Sequence, residues 1–359
     1  MRRHSWTVIW TAGMNSAGND RKGRRELNGT VRVLLRGEIA MRVIDMHCDT
    51  ILQCFKEKKS LLDFSGHINV QKLRTGGCLA QCFALFIPTY DSAKDFFGER
   101  TEPWELYHKL LQCYQENLKN CSEWILPARS AKEIQENCAA GRISSILTIE
   151  DGVELDGCLD RIDSVWADGV RMIALTWNYE NCIGFPNSAD HEAHIRKGLK
   201  PFGFEAIGKM NDLGILVDVS HLSEAGFYDV ARCSRKPFVA SHSCCRDLRD
   251  HPRNLTDDQL RTIGETGSIV GINFYDVFLG GKPGYTAVDD IIRHMVYAKN
   301  KAGMESVALG SDMDGIESTL EFGDYSGFPQ LLAAMEEHFT SDEIEKICSK
   351  NFLRVFSAQ

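Results

Sequence analysis

Val43-Ile44-Asp45-Met46-His47-Cys48-Asp49 decides how this 359-residue chain is read. Apolar positions feed a short strand, which then presents a histidine and an aspartate two residues apart. On an extended backbone residues i and i+2 point to the same face, so His47 and Asp49 can approach one point in space, as two ligands of a metal ion do. Cys48 between them is expected to face the other way and to contribute only packing. An H-x-D triplet is common, so its meaning rests on what the other strand ends supply.

Outward from that stretch, short runs rich in Val, Ile, Leu and Phe alternate with longer stretches of helical period, the pattern of βα units around a parallel sheet. Strands are expected at 42–46, 79–86, 144–149, 171–175, 216–220, 238–240, 269–273 and 307–310. Helices are expected at 104–119, 131–139, 159–167, 201–212, 224–231, 257–265 and 287–301, with two more at 328–338 and 342–356. Ser130-x-x-Glu133, Thr256-x-x-Gln259 and Thr340-x-x-Glu343 read as capping boxes. Eight βα repeats without a Gly-x-Gly-x-x-Gly fingerprint favour a closed barrel over an open dinucleotide-binding sheet. The expected fold is therefore α/β, a TIM-like (β/α)8 barrel with additional C-terminal helices. The long connections 87–103 and 177–201 follow strands and would overhang the barrel mouth, where such folds carry their sites.

With 43% hydrophobic and 25% charged residues the composition is that of an ordinary globular protein. No run approaches the roughly 18 apolar residues that span a bilayer, so no membrane partner is expected. The net charge of −9 argues against a nucleic-acid surface. That charge is uneven: residues 1–40 hold eight basic and three acidic side chains, net +5, which leaves −14 for the rest. Residues 1–40 read as a leader, disordered or translated ahead of a natural start at Met41, with one barrel domain over 41–359. The thirteen cysteines are odd in number and scattered, and no Cys-x-x-Cys pair occurs. Free thiols in a reducing, cytoplasmic setting fit them best.

Just past the strands lie His47 and Asp49 (first), Glu150 (third), His221 (fifth), His242 (sixth) and Asp312 (eighth). Each alone has an ordinary explanation, as a core histidine or a helix N-cap. Three histidines and three carboxylates on five strand ends of one barrel rim form a metal site instead. Imidazole and carboxylate without thiolate suit Zn²⁺ or a similar first-row ion. Six ligands exceed the needs of one catalytic ion and suffice for two, roughly 3.5–4 Å apart, sharing a carboxylate. Glu150, with two oxygens and a central place, is the natural bridge. Such a pair would bring a bridging water from a pKa of about 15.7 towards neutrality.

Residues 41–359 resemble the membrane (renal) dipeptidase family, the M19 metallopeptidases of the amidohydrolase-like barrel superfamily. The likeness is carried by Ile44-Asp45-Met46-His47-Cys48-Asp49, Thr148-Ile149-Glu150-Asp151-Gly152, Asp218-Val219-Ser220-His221, Ser241-His242-Ser243, Pro252-Arg253-Asn254-Leu255 and Ser311-Asp312-Met313-Asp314-Gly315. The resemblance implies that His47 and Asp49 bind one zinc, His221 and His242 the other, and that Glu150 bridges. It implies Asp312 as general acid/base beside a bridging hydroxide, and Arg253 as the grip on the substrate's free carboxylate. A dipeptide is the implied substrate, with C-terminal D-residues among those considered, and a homodimer is the implied assembly. One position departs from the family: where the mammalian enzymes carry a substrate-binding histidine, Leu175-Thr176-Trp177-Asn178 places Trp177. Either Asn178 donates to the oxyanion in its stead, or the metals carry more of that work. Other amides, lactams or esters, and a catalytically silent binding barrel, are the competing readings.

Overall fold

The computed structural model describes residues 42–359; the expected leader at 1–40 and Met41 lie outside them. Eight parallel strands close on themselves: β1 (Val43–Asp45), β2 (Cys78–Phe86), β3 (Ile143–Glu150), β4 (Val170–Ala174), β5 (Leu216–Asp218), β6 (Val239–Ser243), β7 (Ile269–Ile272) and β8 (Val307–Leu309). Each pairs with the next, and β8 pairs back to β1 through Asp45 and Leu309. All eight expected strands are present, with ends shifted by a few residues. A short strand missed in the sequence, Ile125–Pro127, pairs with the first half of β3 on the side where β4 takes the second half.

Alternation along the strands builds two cores. Ile44, Cys82, Ile146, Met172, Leu216, Val239, Ile269 and Ala308 fill the barrel interior. Their chain neighbours Val43, Phe83, Leu147, Ile173, Val217, Ala240, Val270 and Val307 face the surrounding helices. That is the period of two expected of a strand buried on both faces.

The helices follow their expected positions closely. Pro103–Asn120 opens on proline at its first turn and buries Leu106, Tyr107, Leu110, Leu111, Tyr114 and Leu118, one apolar stripe. Full capping boxes form at Thr256 and Thr340. At Ser130 only half of one forms, because the Glu133 carboxylate accepts from the Arg129 amide rather than from Ser130. The expected helix 342–356 contains a widened turn, Lys346–Lys350, between Ser341–Glu345 and Asn351–Ser357. Its last segment plugs the lower end of the barrel: Phe352, Val355 and Phe356 join the interior cluster. Asn351 donates to the carbonyls of Met304 and Val307 at the start of β8, 2.8 Å each. Burying each phenylalanine contributes about 1.5–3 kcal/mol. With that end sealed, the carboxyl ends of the strands form the open mouth.

Among the helices not expected are Thr50–Glu57, Ala93–Phe97 and His191–Arg196. The last two break up the long connections at 87–103 and 177–201. All three are under three turns, too short for a period to register.

Candidate metal centre

The mouth gathers all six expected metal-site residues. The chain stays extended past β1: the Asp49 amide donates to Met313 O at 3.0 Å, and Cys48 bridges Met313. His47 and Asp49 therefore keep a common side, while Cys48 sits in the outer core and its thiol reaches Cys82 O. Glu150 is the last residue of β3, in register with Phe86 and Ala174. His242 lies on β6 at an irregularity between Ala240 and Ser243. That bulge turns the Ser241 carbonyl towards Gly310 and Gly271, where a β-carbon would collide with it. His221 and Asp312 follow β5 and β8 in left-handed conformations, φ 65° and 61°. Such backbones cost non-glycine residues roughly 1–3 kcal/mol each and persist where the surroundings impose them.

Two buried carboxylates impose them here. Asp45 accepts from the Ser311 amide at 2.8 Å and its hydroxyl at 2.6 Å, fastening β8 to β1 beside Asp312. Asp218 accepts from the amides of Ser220 and Ser241, 2.9 Å each, and from the Ser241 hydroxyl, fastening β6 to β5 below His221 and His242. Neither aspartate was singled out in the sequence. Their common signal is an aspartate at a strand end, paired with the serine just before a site residue on the neighbouring strand.

The two oxygens of Glu150 face different groups. Oε1 lies 3.0 Å from His221 Nε2 and 3.5 Å from His242 Nε2. Oε2 lies 3.6 Å from His47 Nε2, which is itself 3.5 Å from Asp49 Oδ2 and 3.8 Å from Asp312 Oδ1. Donor atoms of His47, Glu150 and His242, and of His47, Asp49 and Asp312, fall within 4.8 Å of one another. The His47 ring stacks on His242, centroids 3.9 Å apart, so the groups adjoin.

Proton accounting identifies what belongs between the nitrogens. Burial, aided by the Arg253 guanidinium, pushes His221 down to about 3. Burial, and then the charge of His47, holds His242 well below its usual range. Both rings are therefore neutral and carry one N–H each. His221 Nδ1 lies 3.0 Å from the amide oxygen of Asn178, and His242 Nδ1 lies 2.7 Å from Ser241 Oγ, whose own proton goes to Asp218. With both protons on Nδ1, the two Nε2 lone pairs face each other at 3.0 Å, beside Glu150 Oε1. No hydrogen bond satisfies three acceptors; a cation does. Nitrogen donors on a tetrahedral zinc, with Zn–N of about 2.0–2.1 Å, would stand about 3.3 Å apart.

The second group is short of positive charge. Burial opposes protonation of His47, but Glu150 and Asp49 overcome it and raise its pKa well above 6.5. Burial works against ionised Glu150 too, and the charge of His47 beside it keeps it well below 4.5. Asp49 is raised by burial and then by Glu150. Asp312 is raised to about 7, chiefly by burial, with Asp49 and Glu150 adding and His47 opposing. His47 Nε2 and Asp49 Oδ1 are buried without a hydrogen-bond partner among the described residues. Gly315 completes the fit, since a β-carbon there would strike the carboxylates of Asp49 and Asp312.

Arg253 is buried, not the surface ion pair its acidic sequence neighbours allowed. It donates to His242 O at 3.1 Å and Ser243 Oγ at 3.4 Å, and its guanidinium lies 5.3 Å from the Phe278 ring centre. Its Nε has no partner, and no carboxylate among the described residues lies within ion-pair distance. Trp177, half-buried, packs edge-on against Phe86 and Phe96 at 4.9 and 5.5 Å and stands 6.1 Å from the His221 ring. Asn273, missed in the sequence, donates to Asp312 Oδ2 at 2.8 Å.

The sequence model of the family described as Membrane dipeptidase (Peptidase family M19) matches residues 37–359. An uncharacterized dipeptidase of Schizosaccharomyces pombe is 30% identical over 340 residues, 88% of this chain and 80% of that protein. An uncharacterized protein of Klebsiella pneumoniae is 37% identical over 237 residues, 63% of this chain and 86% of that one. Among solved structures, a metallopeptidase from Rhodobacter sphaeroides liganded with a phosphinate mimic of the dipeptide L-Ala-D-Ala superposes with a TM-score of 0.81. It shares 26% identity, covering 89% of this chain and 99% of that one.

Proposed function

The chain belongs to the membrane dipeptidase family, peptidase family M19, and from that premise we propose that it is a zinc-dependent dipeptidase using two ions bridged by Glu150. One observation carries the reading. Glu150 divides its oxygens between a pair of histidine lone pairs and a His47–Asp49 pair. His221 and His242 would hold one ion, His47 and Asp49 the other. Bound there, divalent cations would polarise a peptide carbonyl and acidify a water at neutral pH.

The side chains supply the rest. Asp312, with a pKa raised to about 7, can take a proton from water and return it to the leaving amine. Asn273 holds its far oxygen so that the other faces His47. Arg253 is a buried cation whose natural partner is the free carboxylate of a dipeptide, which sets the length limit. It follows β6, across the barrel from β2, so the amino-terminal residue would lie towards Phe86 and Trp177. That aromatic wall favours an apolar side chain there. Asn178 would help bind substrate through its exposed amide nitrogen while its oxygen orients His221. C-terminal D-residues belong in the substrate range, in keeping with the L-Ala-D-Ala mimic bound by the Rhodobacter relative.

Thirteen unpaired cysteines, eight of them buried, support a reducing, cytoplasmic setting. No helix among the described residues is long and apolar enough to cross a membrane. A homodimer, testable by sedimentation, completes the proposal.

The test is a panel of L,L- and L,D-dipeptides beside tripeptides and C-terminally amidated dipeptides, assayed on zinc-loaded protein. Free dipeptides should be preferred, and Arg253→Met should raise KM about 10–100-fold for them while leaving amidated substrates unchanged. Equal turnover of tripeptides, or an equal effect of Arg253→Met on both substrate types, would refute the carboxylate grip.

A further inference from the structure

Four fully buried residues behind the nitrogen pair, Asp218, Ser220, Ser241 and His242, share hydrogen bonds that admit one arrangement of protons. Asp218 Oδ1 accepts two backbone N–H groups, from Ser220 and Ser241, 2.9 Å each. Its Oδ2 faces the Ser241 hydroxyl. Ser241 Oγ also lies 2.7 Å from His242 Nδ1 and 3.2 Å from Ser220 Oγ. Ser220 Oγ in turn accepts the His242 backbone N–H at 3.1 Å. A carboxylate only accepts, so the single Ser241 proton goes to Asp218. Ser241 is then left as an acceptor towards both His242 Nδ1 and the Ser220 hydroxyl. Every donor and acceptor in the set is used once this is done.

We propose that Asp218, acting through Ser241, is a positioning relay that fixes His242 as the Nδ1–H tautomer and so presents its Nε2 lone pair to the cation shared with His221 and Glu150. Orienting groups of this kind around a ligating histidine set its tautomer and its basicity, and their loss typically weakens metal binding about 10–100-fold. His221 has a different device: its Nδ1 meets Asn178, an exposed residue on a loop, where water can replace the amide. The relay thus makes His242 the fixed member of the pair and His221 the adjustable one. The inference rests on the proposed metal reading.

Substitution at the two ends of the relay gives different results. Ser241→Ala removes the acceptor and leaves the His242 tautomer free. Asp218→Asn reverses it. The amide oxygen must occupy the Oδ1 place, where two N–H groups point, so the NH₂ group faces Ser241. Ser241 then accepts from Asn and donates its hydroxyl hydrogen bond to His242 Nδ1, which favours the ring proton on Nε2, in the cation's place.

The experiment is zinc affinity, measured by competition with a chromophoric chelator on folded protein checked by circular dichroism. Wild type should bind two ions. Ser241→Ala should weaken one of them about 10-fold and Asp218→Asn about 100-fold, the other ion being little changed. Ser241→Thr, which keeps the hydroxyl, should recover most of the loss. Wild-type affinity for both ions in Ser241→Ala and Asp218→Asn overturns the relay. If Ser241→Ala fails to fold, the near-isosteric Asp218→Asn decides alone. A wild type that binds no zinc would instead sink the metalloenzyme reading.

Discussion

The two sides of Glu150 are built on different principles. On the Oε1 side stand two neutral imidazoles with their protons parked outward, one on a buried serine and one on an exposed amide. On the Oε2 side stand a histidine and two carboxylates at 3.5–3.8 Å, with buried atoms left unpartnered. The first side is pre-oriented and nearly charge-free, so it provides geometry. The second is crowded with carboxylates, so it provides electrostatic demand for a cation and, at Asp312, a carboxyl whose pKa, raised to about 7, would let it carry a proton near neutral pH. A pair of ions across this asymmetric bridge would be held unequally.

The largest expected effect comes from removing the bridge. Glu150→Gln leaves one oxygen for two groups, so both ions should weaken and kcat/KM should fall at least ~10³-fold, about 4 kcal/mol. Substantial activity with two ions retained would show that the sides do not share this residue.

Asp312→Asn is next and should separate chemistry from binding. Zinc content should stay at the wild-type value while kcat drops ~10²–10⁴-fold, the range of a lost general acid/base. Asp312 also gives a pH signature in zinc-stripped protein. Its folded pKa, about 7, exceeds the usual 3.8, so the folded chain binds that proton more tightly. The stabilisation is full below 3.8 and is lost as pH rises through about 7. Thermal melts of stripped wild type should therefore fall over that window more steeply than those of stripped Asp312→Asn. Parallel curves would deny Asp312 the raised pKa.

Gly315→Ala should have a smaller effect, confined to the oxygen side. The added methyl displaces Asp49 and Asp312, so one ion should weaken while the nitrogen side keeps its own. Loss of both ions together would argue that the two sides are one rigid unit.

Much of this was legible in the sequence because it is local. Each barrel strand is a short apolar run, and five of them end in a site residue, so strand ends and site residues could be read together. The i, i+2 spacing of His47 and Asp49 survived because pairing with Met313 keeps that segment extended. The relay was hidden because it joins neighbouring strands at a bulge: nothing in Val239-Ala240-Ser241-His242 reveals the irregularity or that Asp218 lies beside it. Arg253 was read as the carboxylate grip, but its burial was hidden for a related reason, since the guanidinium is covered by Phe278 from a distant part of the chain. Asn178 was read as one candidate donor to the oxyanion; that its oxygen meets His221 was hidden because the long connection carrying it follows a path no periodicity records.

The most direct test of the two-sided bridge is zinc stoichiometry in three proteins: wild type, His221→Ala and Asp49→Ala. Two ions per chain are expected in wild type and one in each variant, with the remaining ion bound more weakly in one variant than in the other. A single ion in wild type, or two ions retained after His221→Ala, would contradict the account.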